Sequence, residues 1–235
     1  MTVDALVFDF DGLILDTETS AFTTAADVFT AHGLALDREW WLTIIGTADH
    51  RHWSEVLEEA LGSPIAEREA VLAARRARHY ELILEESARP GVDELTAAAQ
   101  GASVPCAVAS SSPRQWVDEH LERLGLRPRF AALCCRDDVP VGRTKPAPDL
   151  FLGACEMVSA SPARSVALED SPNGLMAAQA AGLVTVGVPA GMTATLDLSV
   201  ADMVVSSLLD VDLDPLTKIV EARQPGGGGG GDDSR

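Results

Sequence analysis

The sequence predicts an α/β fold, a Rossmann-like parallel sheet core with an inserted all-helical cap domain. Short apolar runs rich in β-forming residues alternate with helical segments along most of the chain, which is the pattern of a parallel sheet with crossover helices. A long helical stretch interrupts this alternation after the first strand. The 235 residues are 46% hydrophobic, which is enough to bury a sizeable core.

The first predicted strand, residues 5–8, is followed by two aspartates and a glycine turn. Residues two apart on a strand lie on the same side, so the carboxylates of Asp9 and Asp11 can converge on one small volume. Two carboxylates at such a short distance raise each other's pKa unless a cation lies between them. An ordinary strand end with two solvated acids has the same pattern, so the pair alone leaves both interpretations open.

The cap is predicted to comprise residues 17–86. Asp16 or Thr17 can cap its first helix, which ends near Gly33. Three further helices are expected over residues 39–45, 54–61 and 66–86. The three cap tryptophans are expected to pack in its interior, and three arginines of the last helix are expected on an exposed face. These residues are Trp40, Trp41, Trp53, Arg75, Arg76 and Arg78.

The core is predicted to comprise residues 1–16 and 87–224. Its later strands are expected over residues 104–109, 130–134, 165–168, 184–188 and 203–205. Ser112 and Ser171 each precede a proline and are predicted to be N-caps of helices, and Lys145 is predicted to begin another helix. Residues 225–235 carry six glycines and no apolar surface to bury, so this tail is predicted to be disordered.

The composition restricts the partners. A formal charge of −18 would repel nucleic acid and anionic membrane surfaces, so neither is expected as a partner. The four cysteines form no Cys-x-x-Cys pair, and the N-terminus has no secretory signal pattern. We therefore expect a cytoplasmic protein, and we expect it to be a monomer or a homodimer.

Polar residues collect where the predicted strands end, which is where ligands bind in open α/β sheets. They are Asp9 and Asp11 after the first strand, Ser110 after the second, Lys145 before the fourth, and Glu169 and Asp170 after the fourth. Carboxylates from two strands suit Mg²⁺, which prefers oxygen ligands. A phosphate bound to that cation would find the hydroxyl of Ser110 and the ammonium of Lys145.

Four segments resemble, in order and spacing, the four motifs of the haloacid dehalogenase-like phosphohydrolases. They are Asp-Phe-Asp-Gly-Leu-Ile-Leu-Asp-Thr-Glu at 9–18, Ala-Ser-Ser-Ser at 109–112, Lys-Pro-Ala-Pro-Asp at 145–149 and Glu-Asp-Ser-Pro-Asn-Gly at 169–174. The similarity is to the branch that contains β-phosphoglucomutase and phosphoglycolate phosphatase, and it extends over about residues 3–210. In that branch a helical cap follows the first motif.

This resemblance implies a Mg²⁺-dependent phosphatase that hydrolyses a small phosphomonoester, such as a sugar phosphate, through an aspartyl-phosphate. Asp9 would be the nucleophile and Asp11 the general acid and base. The metal would be held by the Asp9 carboxylate, the Asp11 carbonyl and Asp170, with Glu169 bound directly or through water. Ser110 and Lys145 would hold the phosphoryl oxygens.

Four other residues are predicted to contact the substrate. Gly12 belongs to the first of the four segments and Ser111 to the second, although Ser111 alternatively only turns the backbone. His50 and Arg51 belong to a segment that resembles, by position, the cap loop that reads the substrate in this family. A solvated first turn of a helix is the alternative interpretation of that segment.

Two activities of related enzymes are set aside by residues of this chain, and a phosphomutase and a silent role remain as alternatives to phosphate hydrolysis. The chain has only two lysines, Lys145 and Lys218, so the cap lysine of phosphonate-cleaving relatives is missing. Dehalogenases need neither a protonated leaving group nor a metal, whereas this chain has both Asp11 and the Glu169-Asp170 pair. A phosphomutase stays an alternative, but Ala21 occupies the position of the mutase's cap-side histidine, and Asp49 lies near that of its arginine. A catalytically silent phospho-ligand binding protein is the third possibility.

Overall fold

The computed structural model describes residues 3–223. Six parallel strands form one sheet in the order β3-β2-β1-β4-β5-β6. They are β1 (Ala5–Phe8), β2 (Cys106–Ala109), β3 (Ala132–Cys134), β4 (Ser165–Glu169), β5 (Val184–Gly187) and β6 (Met203–Val204). The predicted parallel sheet is confirmed. The strand order reverses between β1 and β4, and this is the crevice where such sheets bind ligands.

Helices fill the connections between the strands. Those between β1 and β2 are α1 (Thr17–Ala31), α2 (Arg38–Ile44), α3 (Trp53–Leu61), α4 (Arg68–Glu85) and α5 (Val92–Gly101). The others described are α6 (Arg114–Arg123), α7 (Asp149–Met157), α8 (Pro172–Ala180) and α9 (Leu213–Arg223). We call helices α1 to α4 the cap. Helix α9, which buries Leu216 and Val220, was not predicted.

Alternate side chains of the central strands pack on opposite faces of the sheet. Leu6 and Phe8 of β1 belong to one apolar cluster, whereas Val7 between them belongs to the cluster on the other face. Both faces are therefore covered, as expected for short, fully apolar strands. This burial holds the polar residues that follow β1 and β4 in fixed positions.

The cap has its own apolar cluster. Trp41 and Trp53 are buried there and Trp40 is packed against them, so the prediction that these rings pack in the cap interior is confirmed. Trp41 also meets the ring of Phe22 edge to face, with centroids 5.6 Å apart. Aromatic side chains bury about 150–250 Å² each, so these rings contribute strongly to the small core of the cap.

Two predicted helix starts are wrong. Helix α6 begins at Arg114 without a side-chain cap, and the hydroxyl of Ser112 instead donates to Asp11. Helix α7 begins at Asp149, so Lys145 lies in the loop before it. Ser171 does cap α8, since its hydroxyl accepts from the N–H of Gly174 at 3.1 Å.

Some predictions concern the limits of the chain. The predicted disordered tail, residues 225–235, lies outside the described residues. The division into core and cap at residues 16/17 and 86/87 stays a prediction. Within residues 3–223 no helix combines the length and the apolar character needed to cross a membrane.

Candidate active site

Three buried carboxylates meet at the C-terminal ends of β1 and β4. These strands are neighbours in register, with Phe8 opposite Leu168, so Asp9 follows β1 beside Glu169 at the end of β4. One carboxylate oxygen each of Asp9, Glu169 and Asp170 lies within 4.8 Å of the others. All three side chains are almost completely excluded from solvent.

Lys145 is the cation that balances part of this charge. Its side chain is completely buried, and its ammonium donates to Glu169 Oε1 at 2.5 Å and to Asp9 Oδ1. Burial by itself would lower the pKa of Lys145, but the charges of Asp9 and Glu169 outweigh it and raise the pKa. Lys145 therefore stays protonated, and the four groups sum to two negative charges when all are ionised.

The ionised forms of Asp9 and Asp170 are destabilised by their surroundings. Burial, and then the charge of Glu169, raises the pKa of Asp9 well above its ordinary value, although Lys145 opposes this. Burial, and then the charge of Asp9, likewise raises the pKa of Asp170. Further positive charge beside these carboxylates would oppose both shifts.

The donor set fits a hard divalent cation. Asp170 Oδ2 accepts from the Thr193 hydroxyl at 3.1 Å, whereas the buried Oδ1 has no hydrogen-bond partner. A buried carboxylate oxygen without a partner is costly, so this oxygen is suited to bind a cation or a water. Gly12 has a φ of +90°, and a Cβ there would lie 2.1 Å from Asp170 Oδ2. These oxygen ligands suit Mg²⁺.

Asp11 is held by four hydrogen-bond donors. Its Oδ1 accepts from Thr17 Oγ1 at 2.9 Å and from the indole Nε1 of Trp116 at 3.0 Å. Its Oδ2 accepts from Ser112 Oγ at 2.6 Å and from Ser110 Oγ at 3.3 Å. The Asp11 side chain is thus fixed by the start of the cap and by the segment after β2.

A cavity of about 890 Å³ opens between the cap and these carboxylates. Asp9, Asp11 and Ser111 line its core side, and His50 lines its cap side. Arg51 instead ion-pairs with Glu59 and has a side chain that is 46% exposed. Substrate binding by Gly12, Ser111, His50 and Arg51 stays a prediction.

The cavity is also lined by an arginine and a glutamate, Arg75 and Glu18, for which the sequence predicts no role in the site. Arg75 was predicted to be exposed, which is wrong, because its guanidinium turns inward and donates to the Ala21 carbonyl at 2.6 Å. Burial lowers the pKa of Arg75 to about 10, with Glu18 opposing the shift. Burial, and then the charge of Asp11, raises the pKa of Glu18 to about 8. His79 also lines the cavity. Residues four apart lie on one face of a helix, so the spacing of Arg75 and His79 was the sequence feature that could have indicated a shared polar face.

The cap segment 43–49 is seated on the core by three side chains. Asn173 Nδ2 donates to the Ile45 carbonyl at 2.7 Å, and Ser111 Oγ donates to the Gly46 carbonyl at 3.0 Å. Thr144 Oγ1 donates to Asp49 Oδ2 at 2.7 Å. Residues 46–52 form a loop, so the alternative of a first helical turn is wrong. The sequence offered no role for Asn173.

Comparisons with known proteins agree with this geometry. The chain is 39% identical over 211 residues to YhcW of Bacillus subtilis, which is named as a candidate phosphatase, covering 90% of this chain and 94% of that protein. It is 28% identical over 220 residues to β-phosphoglucomutase of B. subtilis, covering 90% and 93%. The crystal structure of CbbY from Rhodobacter sphaeroides in complex with phosphate superimposes with a TM-score of 0.71 at 28% identity, covering 90% of this chain and 99% of that one.

The family model of haloacid dehalogenase-like hydrolases matches residues 3–182. This span contains all four segments on which the resemblance was based, together with the cap and the buried carboxylates. With a sheet, a cap and a carboxylate site that agree with the match, the chain belongs to the haloacid dehalogenase-like hydrolases.

Proposed function

We propose that this hydrolase is a Mg²⁺-dependent phosphatase that cleaves a small phosphomonoester through an aspartyl-phosphate on Asp9. The observation that carries the proposal is the ion pair between Asp9 and Lys145, buried beside the unpartnered oxygen of Asp170 at the floor of the cavity. A carboxylate held by a permanent cation next to a metal site is equipped to attack phosphorus.

The reaction would proceed in two displacements at phosphorus. In the first, the Asp9 carboxylate attacks, the bond to the leaving oxygen breaks, and Asp11 gives its proton to that oxygen. In the second, water attacks the aspartyl-phosphate, Asp11 takes a proton from that water, and inorganic phosphate leaves with Asp9 restored. Asp11 is suited to both proton transfers because its side chain lines the same cavity as Asp9.

Positive charge would come from Lys145 and from the metal. The Asp9 and Asp170 carboxylates and the Asp11 carbonyl would hold Mg²⁺, with Glu169 bound directly or through water. Mg²⁺, when bound, neutralises charge on the phosphoryl oxygens. Lys145 does the same from its fixed position, and the Ser110 hydroxyl would donate a hydrogen bond to a phosphoryl oxygen.

Hydrolysis is favoured over the phosphomutase alternative by the cap. Ala21 lines the cavity where the mutase carries a histidine, and Asp49, near the position of its arginine, is engaged by Thr144. A mutase must shield its phosphoenzyme from water while the sugar reorients. Lacking both groups, this cap is less suited to that task, so water should react first.

A sugar phosphate or a similar polar metabolite is the proposed substrate class. The cavity, about 890 Å³, exceeds what a phosphoryl group needs and offers Glu18, Arg75 and His50 to hydroxyl or anionic groups. The phosphate in the CbbY structure supports a phosphorylated ligand for this family branch.

The test is an incubation of the full chain with Mg²⁺ and a panel of phosphorylated metabolites that includes hexose 1-phosphates. Released phosphate and isomerised sugar are both measured. We expect phosphate from at least one metabolite, with Asp9→Asn inactive and the exposed Asp27→Asn unaffected as a matched control. Isomerisation with little phosphate would favour the mutase. Turnover by Asp9→Asn within about tenfold of the parent would refute the covalent mechanism.

A further inference from the structure

The indole of Trp116 is bonded directly to the group that we assign as general acid and base. Its Nε1 donates to Asp11 Oδ1 at 3.0 Å, and Trp116 lines the same cavity as Asp9 and Asp11. We propose that Trp116 is a positioning residue that determines which oxygen of Asp11 carries the catalytic proton. This inference depends on the proposed phosphatase function.

The donors around Asp11 are of two chemical kinds. An indole N–H can only donate, whereas a hydroxyl can donate or accept. A neutral carboxyl group has one carbonyl oxygen, a good acceptor, and one hydroxyl oxygen that donates its proton. Facing a permanent donor, Asp11 Oδ1 is therefore favoured as the carbonyl oxygen.

The partners of the other oxygen suit a proton. Asp11 Oδ2 lies 2.6 Å from Ser112 Oγ and 3.3 Å from Ser110 Oγ. Either hydroxyl can rotate and accept when Oδ2 is protonated. The proton is thus assigned to Oδ2, on the side of the segment that follows β2 and that includes Ser110, our proposed phosphoryl ligand.

The orientation of the indole is itself fixed by two histidines. The ring of His79, on cap helix α4, stacks on Trp116 at an interplanar angle of 24° with centroids 5.8 Å apart. The ring of His120, on α6, meets it edge to face at 4.2 Å. His79 also reaches the Thr17 carbonyl at 3.3 Å. Cap helix α4 therefore takes part in holding the donor against Asp11.

A purely structural role for Trp116 would have a different signature. Half-buried, it packs against the main core cluster, so its loss could weaken the fold and lower every activity alike. Positioning of the acid affects the rate only as far as the leaving oxygen needs a proton in order to depart. Leaving-group dependence therefore separates the two roles.

The test compares Trp116→Phe with the parent on 4-nitrophenyl phosphate, phenyl phosphate and an alkyl phosphate. The kcat/KM value is measured because it reports the step in which the leaving group departs. General acid catalysis contributes about 10² to 10⁴ in rate, so we expect Trp116→Phe to lose about tenfold or more on the alkyl phosphate. The loss on 4-nitrophenyl phosphate should stay below about threefold, because nitrophenolate leaves without a proton.

Trp40→Phe is the matched control, because Trp40 is packed in the cap and does not line the cavity. It should match the parent on all three substrates. Equal losses by Trp116→Phe on all of them, or no loss, would overturn the inference. If Trp116→Phe melts early, benzothienylalanine at position 116, which keeps the ring shape and lacks the N–H, replaces it in the same comparison. A parent that hydrolyses none of the substrates would instead count against the proposed function.

Discussion

Replacing Lys145 with methionine should destabilise the protein strongly, quite apart from its effect on turnover. The Lys145 side chain is completely buried between Asp9, which is 4% exposed, and Glu169, which is 0% exposed. Methionine fills a similar volume but leaves both carboxylates without their cation. Removing one partner of a buried ion pair leaves an uncompensated charge and is strongly destabilising. Replacing both partners by apolar residues often has little effect on stability.

The expected magnitude follows from this burial. Breaking a buried ion pair by removing one partner costs about 3–5 kcal/mol. For a chain of 150–250 residues, each kcal/mol shifts Tm by about 2–4 °C, so the loss corresponds to about 6–20 °C. Mg²⁺ should reverse part of it, because it would supply positive charge to the same carboxylates.

The assay is thermal unfolding in chelator and again in excess Mg²⁺. Lys218→Met is a matched control, since Lys218 is the other lysine of the chain and is exposed on α9. We expect the control to melt within about 2 °C of the parent. A Lys145→Met variant that melts as the control does would refute the assignment of Lys145 as the charge-balancing cation.

The effect should also depend on pH. The folded-state pKa of Asp9 lies above its ordinary value of 3.8, and removing Lys145 takes away an interaction that lowers it. An acid with a raised folded-state pKa loses stability as pH rises, because the unfolded chain ionises first. The Tm difference between Lys145→Met and the parent should therefore grow as the pH is raised above 3.8, the ordinary pKa of the Asp9 carboxyl. A constant difference would contradict this reasoning.

Three further predictions concern the turn after β1 and the cap loop. Gly12→Ala should weaken Mg²⁺ binding at least tenfold, measured by calorimetry, because its Cβ would clash with Asp170 Oδ2 and its φ of +90° disfavours alanine. Asn173→Ala should increase hydrogen exchange in residues 43–49 severalfold, because the carbonyls of Thr43 and Ile45 lose their donor. Unchanged exchange would contradict that role. Arg51→Ala should raise KM for the metabolite substrate more than for 4-nitrophenyl phosphate if Arg51 leaves Glu59 to bind substrate, and equal effects would count against recognition by Arg51.

The sheet and the carboxylate cluster could be predicted because each rests on short-range information. A short apolar run rich in β-forming residues and ended by a turn favours a buried strand, and the polar residue after it then lies at the strand's end. Parallel strands place those ends at one edge, so Asp9, Glu169 and Asp170 were brought together correctly. Lys145 joins them, although it lies in a loop and not at the start of a helix as predicted.

The contacts between cap and core could not be predicted in the same way. Arg75 and Trp116 lie on helices whose spacing is equally consistent with an exposed or a packed face. The packing of α4 against α1 decides for Arg75, and the packing of α4 against α6 decides for Trp116. Asn173 follows a helix start, where a polar residue needs no further explanation. Its role depends on where the end of α2 lies, 128 residues away along the chain.

The charge of the site determines the order in which its ligands can bind. Three buried carboxylates and one ammonium leave two negative charges when all are ionised, in a protein whose formal charge is −18. A phosphomonoester dianion approaching that floor meets repulsion that Lys145 alone does not cancel. A divalent cation held by Asp9 and Asp170 would bring the cluster to neutrality and leave Lys145 free to face the phosphoryl oxygens. Metal binding should therefore precede substrate binding, and inorganic phosphate should bind the chelator-treated protein much more weakly than the protein in excess Mg²⁺.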